Sequence, residues 1–308
     1  MSARQLTMLI SVSLIWGASY LLIKIALEGI SAEMIVFARV ALAAALLYVV
    51  IAVRGGADRR ALGYLREHPG RTAIQGFLSV ALPFSLISLG ETRIDSGLTG
   101  VLVSPGPLFI ALLAPFVDRS EQVGGRAAVG LVIGFAGVVV LVGLDAVSNF
   151  GEFAGALAVL GAAASYGVGA MYTKLKFVRV PPLVVSFGAC AAATAITAVP
   201  AIASATRTSP DGGEIAAVVC LGVVGTALAF VLYYSLIAET GAGRASLVGY
   251  LIPPTALVYG ALLLGESITV ASIVGLVMIL SGVVLAGGER EVEGQVSEPV
   301  RALPPRPS

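Results

Sequence analysis

Ten long apolar stretches, separated by short polar breaks, constrain this chain more than any other feature of its sequence. A helix that crosses a bilayer needs about 20 consecutive, mostly apolar residues, and its backbone must satisfy its own hydrogen bonds in hydrocarbon. The alternating pattern of a membrane barrel strand is absent from the sequence. We therefore predict an all-α membrane protein with ten transmembrane helices, near residues 6–26, 32–53, 72–90, 95–117, 125–144, 152–173, 182–203, 214–236, 243–264 and 268–287.

The composition excludes several classes of protein. Of the 308 residues, 57% are hydrophobic and only 12% are charged, whereas about a quarter of an ordinary soluble domain is charged. This contrast excludes a soluble enzyme and a disordered chain, and the net charge of +1 without a basic face argues against a nucleic-acid partner. His68, the single histidine, and the separated Cys190 and Cys220 cannot build a zinc site or a catalytic triad. We expect no metal, no cofactor and no catalytic residue.

The positions of Lys and Arg predict the orientation of the chain, because cytoplasmic loops carry an excess of both. With the N-terminus in the cytoplasm, 15 of the 19 basic residues fall on the inner side, and the outer half keeps only Lys24, Arg39, Arg93 and Arg207. Both termini are therefore predicted to be cytoplasmic. The tail, residues 288–308, is rich in Pro, Glu and Arg and is predicted to be disordered.

The sequence also repeats itself. GLVIGFAGVVVL from Gly130 and GLVMILSGVVLA from Gly275 are identical at six of twelve positions, at an offset of 145 residues. Similar offsets pair Trp16 with Tyr166, Lys24 with Lys174, Gly76 with Gly222, Phe84 with Phe230 and Glu121 with Glu266. We predict a first repeat over residues 6–145 and a second over 151–287. Since each holds five spans, an odd number, the second repeat must lie inverted relative to the first.

An inverted repeat is the architecture of many secondary transporters, because two halves of near-equal packing energy can exchange inward-open and outward-open states. Two other classes stay open. A membrane-embedded enzyme such as a lipid transferase needs acidic metal ligands or a nucleophile with its base, and the sequence has no aspartate-rich motif. A scaffold or sensor would gain nothing evident from the pseudo-symmetry.

Three segments resemble the EamA family of the drug/metabolite transporter superfamily. They are WGASYLLIK from Trp16, FARVALAAALL around Arg39, and LIPPTALVYGALLLGES from Leu251. The resemblance covers about residues 6–287. It implies a bacterial inner-membrane carrier that exports an amino acid or related small metabolite through a central cavity lined by spans 1, 3, 4, 6, 8 and 9. A nucleobase, a drug-like molecule and a sugar derivative remain alternative substrates, and a homodimer is an open possibility.

Prolines mark candidate broken helices in both predicted repeats. Span 4 carries Pro105 and Pro107 around Gly106, and span 9 carries Pro253 and Pro254. Each proline lacks a backbone donor and frees a carbonyl one turn earlier, and broken helices in corresponding positions of two halves often mark a transport site. The alternative is a packing kink. Span 4 carries Pro105 and Pro115 in addition to Pro107, which predicts that this span is irregular near mid-membrane.

Polar and aromatic residues supply the remaining site candidates. Trp16, Ser19, Tyr20 and Ile23 share one face of span 1, and Trp16 lies too deep for a headgroup belt. The predicted substrate-binding set is Trp16, Ser19, Tyr20, Gln75, Ser79, Pro107, Tyr166, Tyr234, Tyr250 and Pro253. For each of these residues the alternative is helix packing.

Charged residues inside the spans are few. Lys24 and Arg39 either extend to the membrane surface or guard an outer vestibule and attract a carboxylate substrate. No Asp or Glu falls at the centre of any predicted span. Either an edge carboxylate such as Glu91 or Glu266 couples transport to protons, or the protein is a uniporter.

Overall fold

The computed structural model describes residues 1–117, 125–143, 149–207, 209–240 and 242–287. These residues are 88% helical and include no strand. Eight helices are long and apolar enough to cross a membrane, and two shorter apolar helices follow at Val248–Leu264 and Val270–Ala286. The all-helical membrane class predicted from the sequence is therefore confirmed. The predicted tail, 288–308, and Glu121 lie outside the described residues.

The described part of the first half contains eight helices. They are α1 (Ala3–Ala26), α2 (Ala32–Arg54), α3 (Gly56–Glu67), α4 (Pro69–Gly76), α5 (Leu82–Glu91), α6 (Ser96–Val103), α7 (Gly106–Val117) and α8 (Gly125–Val142). A π-helical segment, Phe77–Ala81, joins α4 to α5, so that 69–91 forms one span.

The second half contains seven helices within the described ranges. They are α9 (Phe150–Lys176), α10 (Pro182–Ser204), α11 (Gly212–Gly222), α12 (Ala229–Thr240), α13 (Ala242–Ala245), α14 (Val248–Leu263) and α15 (Val270–Gly287). A second π-helical segment, Val223–Leu228, joins α11 to α12, so that 212–240 forms one span.

Polar side chains cap the starts of several spans. The Ser2 hydroxyl accepts a hydrogen bond from the backbone N–H of Gln5, and Ser31 caps α2 in the same way. Asn149 accepts from the first turn of α9, and Asp211 caps α11. Each cap satisfies an amide that the first turn of a helix leaves unpaired, which fixes where the span begins.

Glycines bring α8 and α15 into backbone contact. A Cβ added to Gly282 would lie 2.6 Å from the carbonyl oxygen of Gly130 and 2.6 Å from Gly134 Cα. One added to Gly137 would lie 2.9 Å from the carbonyl oxygen of Gly275. Small residues permit this approach between membrane helices. Gly130 and Gly134 therefore serve helix packing.

The prolines act differently in spans 4 and 9. The helix ends at Val103 and resumes at Gly106, so span 4 is irregular as predicted. In contrast, Pro253 and Pro254 lie inside the uninterrupted α14, and the predicted break at these residues is wrong. They fall within the first two turns of α14, where only the carbonyls of early residues lose an amide partner.

An amphipathic helix, α3, lies between spans 2 and 3, where the sequence pattern predicts only a short polar break. Its apolar side packs against a cluster that includes Leu47, Ile51 and Phe177, whereas Arg59 and Arg60 are exposed. The arginines hide this apolar face in a plain hydropathy pattern, because the face spans only a few residues.

Candidate functional site

Arg39 is buried inside the helix bundle. Only 6% of the residue is exposed. Its Nε donates a hydrogen bond of 2.8 Å to Thr226 Oγ1, and its guanidinium carbon lies 4.1 Å from the centre of the Phe84 ring. A cation over an aromatic face is attracted by the negative charge of the ring face. Arg39 is thus held from both halves of the chain rather than extended to the surface.

The two π-helical segments flank this arginine. Thr226 lies within Val223–Leu228, and Phe84 follows Phe77–Ala81 by three residues. A π-helix displaces the ordinary hydrogen bonds of a helix and often marks a functional site. Here side-chain hydroxyls donate hydrogen bonds to backbone carbonyl oxygens. Thr226 Oγ1 donates to the carbonyl oxygen of Leu221 at 2.9 Å, and Ser165 Oγ donates to that of Leu78 at 2.7 Å.

These π segments lie at matching positions of the two halves. Phe77 and Val223 are 146 residues apart, the offset that also relates Gly76 to Gly222. A Cβ on Gly222 would lie 3.1 Å from the carbonyl oxygen of Arg39 on α2. A Cβ on Gly76 would lie 2.7 Å from that of Ala189 on α10. The two contacts match, but the residue on α2 is Arg39, which carries a guanidinium. The corresponding residue on α10 is Ala189, which carries a methyl group.

Two predicted tyrosines join the arginine. Tyr20 is 8% exposed and belongs to the core cluster against which Tyr166 packs. Tyr166 also packs against the cluster that contains Phe84. Both phenols lie within electrostatic range of the Arg39 guanidinium. The structure therefore brings together Arg39, Tyr20 and Tyr166 from the predicted set, and adds Phe84 and Thr226.

A second aromatic group lies on α1 and α12. The Trp16 ring centre is 5.0 Å from that of Tyr233 and 6.3 Å from that of Phe230. The Tyr234 ring centre lies 5.8 Å from that of Tyr233, with the two rings tilted by 54°. The Tyr234 hydroxyl accepts a 2.9 Å hydrogen bond from Ser186 Oγ. Trp16 and Tyr234 thus belong to one half-buried surface.

The predicted polar residues of spans 1 and 3 make local contacts. Ser19 Oγ donates to the carbonyl oxygen of Ile15 and faces Gly225 in the second π segment. Gln75 Nε2 donates to Ser79 Oγ at 2.8 Å. The buried Gln75 Oε1 has no hydrogen-bond partner within the described residues. A buried amide oxygen without a hydrogen-bond donor is rare in proteins.

The remaining predicted residues lie elsewhere. Pro107 is exposed near the start of α7, and Pro253 is buried in α14. Tyr250 packs beside the core cluster of α6, α8 and α15. The predicted set therefore divides into a group around Arg39, an aromatic group on α1 and α12, the polar residues Ser19, Gln75 and Ser79 with local contacts, and these residues of α7 and α14.

Charged groups gather at the end of the bundle where α5 stops. Lys24 Nζ donates to the carbonyl oxygens of Glu91 and Ile94, both at 2.8 Å, so it caps the C-terminal end of α5, where a cation is favoured. The Glu266 carboxylate accepts three hydrogen bonds of 2.8 Å, from the N–H and hydroxyl of Ser96 and from the N–H of Gly97. It thereby caps α6.

Two further acids lie at this end. Partial burial raises the pKa of Asp95, and the neighbouring Glu266 carboxylate raises it further. Glu91 is fully buried. The sequence interpretation placed Glu91 among edge carboxylates, since nothing in its local sequence shows that its side chain turns inward. Within the described ranges, no three His, Cys, Asp or Glu side chains form a group that could hold a metal ion.

Comparison with known proteins identifies one family. The EamA-like transporter family matches residues 4–143 and again 153–288. The uncharacterized transporter YoaV of Bacillus subtilis is 27% identical over 89% of this chain and 94% of its own. A probable terminal-alkyne amino-acid exporter of Streptantibioticus cattleyicolor is 26% identical, over 88% and 89% respectively.

Two further similarities agree with this one. The uncharacterized inner membrane transporter YedA of Escherichia coli is 26% identical over 90% of this chain and 88% of its own. One solved crystal structure shares the fold with a TM-score of 0.67 at 21% identity, covering 94% of this chain and 99% of that one.

Proposed function

The chain belongs to the EamA-like transporter family, and from that premise we propose that it exports small carboxylate-bearing metabolites, foremost amino acids. It acts as a secondary carrier of the bacterial inner membrane with both termini in the cytoplasm. Transport proceeds by alternating access, and Arg39 binds the carboxylate of the substrate.

The observation that carries this proposal is a buried cation without an anion. Within the described residues, no carboxylate lies within 4.0 Å of the Arg39 guanidinium. A buried charge without a partner is costly. A substrate carboxylate would complete the pair, since a guanidinium binds a carboxylate through two parallel hydrogen bonds.

The surroundings of Arg39 favour a substrate that also has an apolar part. Phe84 presents its ring face to the guanidinium, and the phenols of Tyr20 and Tyr166 lie within its electrostatic range. An amino acid with an apolar side chain matches this combination of one charged and several aromatic groups. The S. cattleyicolor relative, named a probable terminal-alkyne amino-acid exporter, supports the choice.

Matched contacts between the halves support alternating access. Gly130 approaches Gly282, and Gly137 approaches Gly275. The first and last glycines of one repeated segment therefore contact the last and first glycines of the other. The family match also occurs twice. Two inverted repeats, 6–145 and 151–287, with five spans each would produce this reciprocity.

Counterflow of labelled amino acids in proteoliposomes tests the proposal. We expect Arg39→Gln to weaken apparent affinity by roughly 10- to 100-fold, because a lost charge-assisted contact of about 1.5–3 kcal/mol corresponds to that factor. Arg39→Lys should retain part of the affinity, and the exposed Arg93→Gln is the matched control. Unchanged affinity in Arg39→Gln, or equal competition by amino-acid amides, would contradict the carboxylate assignment.

The aromatic group on α1 and α12 favours a second candidate, a flat ring substrate such as a nucleobase. Trp16 and Tyr233 lie close enough to border one stacking surface. The same assay decides between the two, with nucleobases added to the panel and Trp16→Ala run beside Arg39→Gln. Nucleobase counterflow that is lost in Trp16→Ala and kept in Arg39→Gln would favour this candidate.

A further inference from the structure

Glu91 is a buried carboxyl group that the substrate site does not use. It is the last residue of α5 and has no exposed surface. Neither carboxyl oxygen has a hydrogen-bond partner within the described residues. The adjacent Gly90 is pressed against α9, where an added Cβ would lie 2.6 Å from Val159 and 3.0 Å from the carbonyl oxygen of Gly155. The end of α5 is therefore tightly enclosed.

An ionised carboxylate in this enclosure would be unstable. Burying a charge without hydrogen bonds costs far more than burying a neutral polar group, so such a carboxyl is held with its proton. Proton-carrying carboxyls of pumps and transporters occur in such intramembrane positions. In the enclosed conformation Glu91 is accordingly the neutral acid.

Two cations that face Glu91, Lys24 and Arg39, favour the ionised form once water enters. Within its electrostatic range lie Lys24 and Tyr20 of α1, Arg39 of α2, and Glu266 from the loop after α14. Lys24 is half-exposed, and its ammonium already donates to the carbonyl oxygen of Glu91. When the end of α5 opens to water, the Lys24 ammonium is close enough to pair with the Glu91 carboxylate. Glu266 and Tyr20 oppose ionisation.

We propose that Glu91 binds and releases one proton in each transport cycle and so couples export to the proton gradient. The carboxylate takes a proton from water on one side of the membrane, becomes the neutral acid as the bundle closes, and returns the proton to water on the other side. The inference rests on the proposed carrier function and extends it by naming the driving ion. Lys24 acts as a positioning residue in this step.

Proteoliposomes that contain a trapped pH-sensitive dye test the coupling. We expect substrate to drive a proton flux in the wild-type protein and a pH gradient to drive substrate accumulation. Glu91→Gln resembles the neutral acid, so it should keep substrate counterflow but lose at least about 90% of both coupled fluxes. Glu28→Gln, the same change at an exposed position just after α1, should keep both.

The outcomes separate this inference from the proposed function. Wild-type counterflow without proton flux, or proton flux that survives in Glu91→Gln, would overturn the role of Glu91 and leave the carrier intact. If no amino acid is transported, the proposed function fails, and infrared difference spectra of the purified protein decide on Glu91. A protonated-carboxyl band at neutral pH that disappears in Glu91→Gln and persists in Glu28→Gln supports the inference. Its absence from the wild-type spectrum overturns the inference, even if Glu91→Gln does not fold.

Discussion

Thr226 links a backbone irregularity to a charged side chain. Its hydroxyl donates to the carbonyl oxygen of Leu221 and accepts from Nε of Arg39. One hydroxyl therefore supports both the second π segment and the guanidinium. The sequence shows Thr226 as one small polar residue in an apolar run, because both partners come from residues that are not its immediate neighbours.

Replacing Thr226 with valine should destabilise the protein. Valine has nearly the same shape but leaves Arg39 Nε and the carbonyl oxygen of Leu221 without this partner, at about 1–3 kcal/mol for each unsatisfied group. We expect a lower melting temperature in detergent and weaker counterflow. Thr197→Val is the matched control, because buried Thr197 donates only to the carbonyl oxygen of Ala193 within its own helix. Equal melting temperatures for the two variants would contradict the role of Thr226.

Helices α8 and α15 pack against each other through their backbones rather than through polar side chains. Its contacts pass through Gly130, Gly134, Gly137, Gly275 and Gly282, where the two backbones meet. In lipid the drive for such association is close packing rather than the hydrophobic effect. The spacing of these glycines is visible in the sequence, whereas the partner of each helix is visible only in the fold.

Gly282→Ala should separate α8 from α15. The new methyl group would lie 2.6 Å from Gly130 and Gly134 backbone atoms, and such overpacking costs about 1–3 kcal/mol. Gly63→Ala is the control, since nothing lies within 4 Å of its added Cβ in α3. That change should raise stability by roughly 0.5–1 kcal/mol, because alanine loses less backbone entropy in a helix. A melting temperature of Gly282→Ala at or above that of the wild type would contradict this packing.

At the scale of the whole molecule, charged residues lie at both ends of the helix bundle. Tyr64 of α3 donates to the carbonyl oxygen of Lys176 at the end of α9, and Arg4 pairs with Glu239 at 3.0 Å. These are residues of the predicted cytoplasmic surface. Lys24, Glu91 and Glu266 form the separate group at the end of α5.

Cysteine labelling tests the orientation. In a background with Cys190 and Cys220 replaced by alanine, we expect Arg60→Cys to react with an impermeant maleimide only from the cytoplasmic side. Glu28→Cys should react only from the periplasmic side. Both positions are exposed, so access to the reagent depends on the side of the membrane. The reverse pattern, or labelling of both from one side, would contradict the proposed topology.

Sequence reasoning identified two of the charged residues that matter in the fold, Lys24 and Arg39, because a cation within an apolar stretch is conspicuous. It did not identify Glu91 as a buried group, since a carboxylate at the end of a span looks the same whether it faces water or the bundle. It also missed both π segments. The only sequence signal for them is the similarity of GFLSVALPF from Gly76 to GVVGTALAF from Gly222.

The helical membrane class, the positions of the apolar stretches and the family follow from the sequence alone, because lipid requires long apolar helices whose pattern is local. The tertiary structure is needed to locate the two π segments and to show which charges are buried. The carbonyl oxygen of Leu78 is satisfied by Ser165 of another helix, and Arg39 is held by groups from two others. Such interactions depend on which helices become neighbours, and that information is distributed over the whole chain.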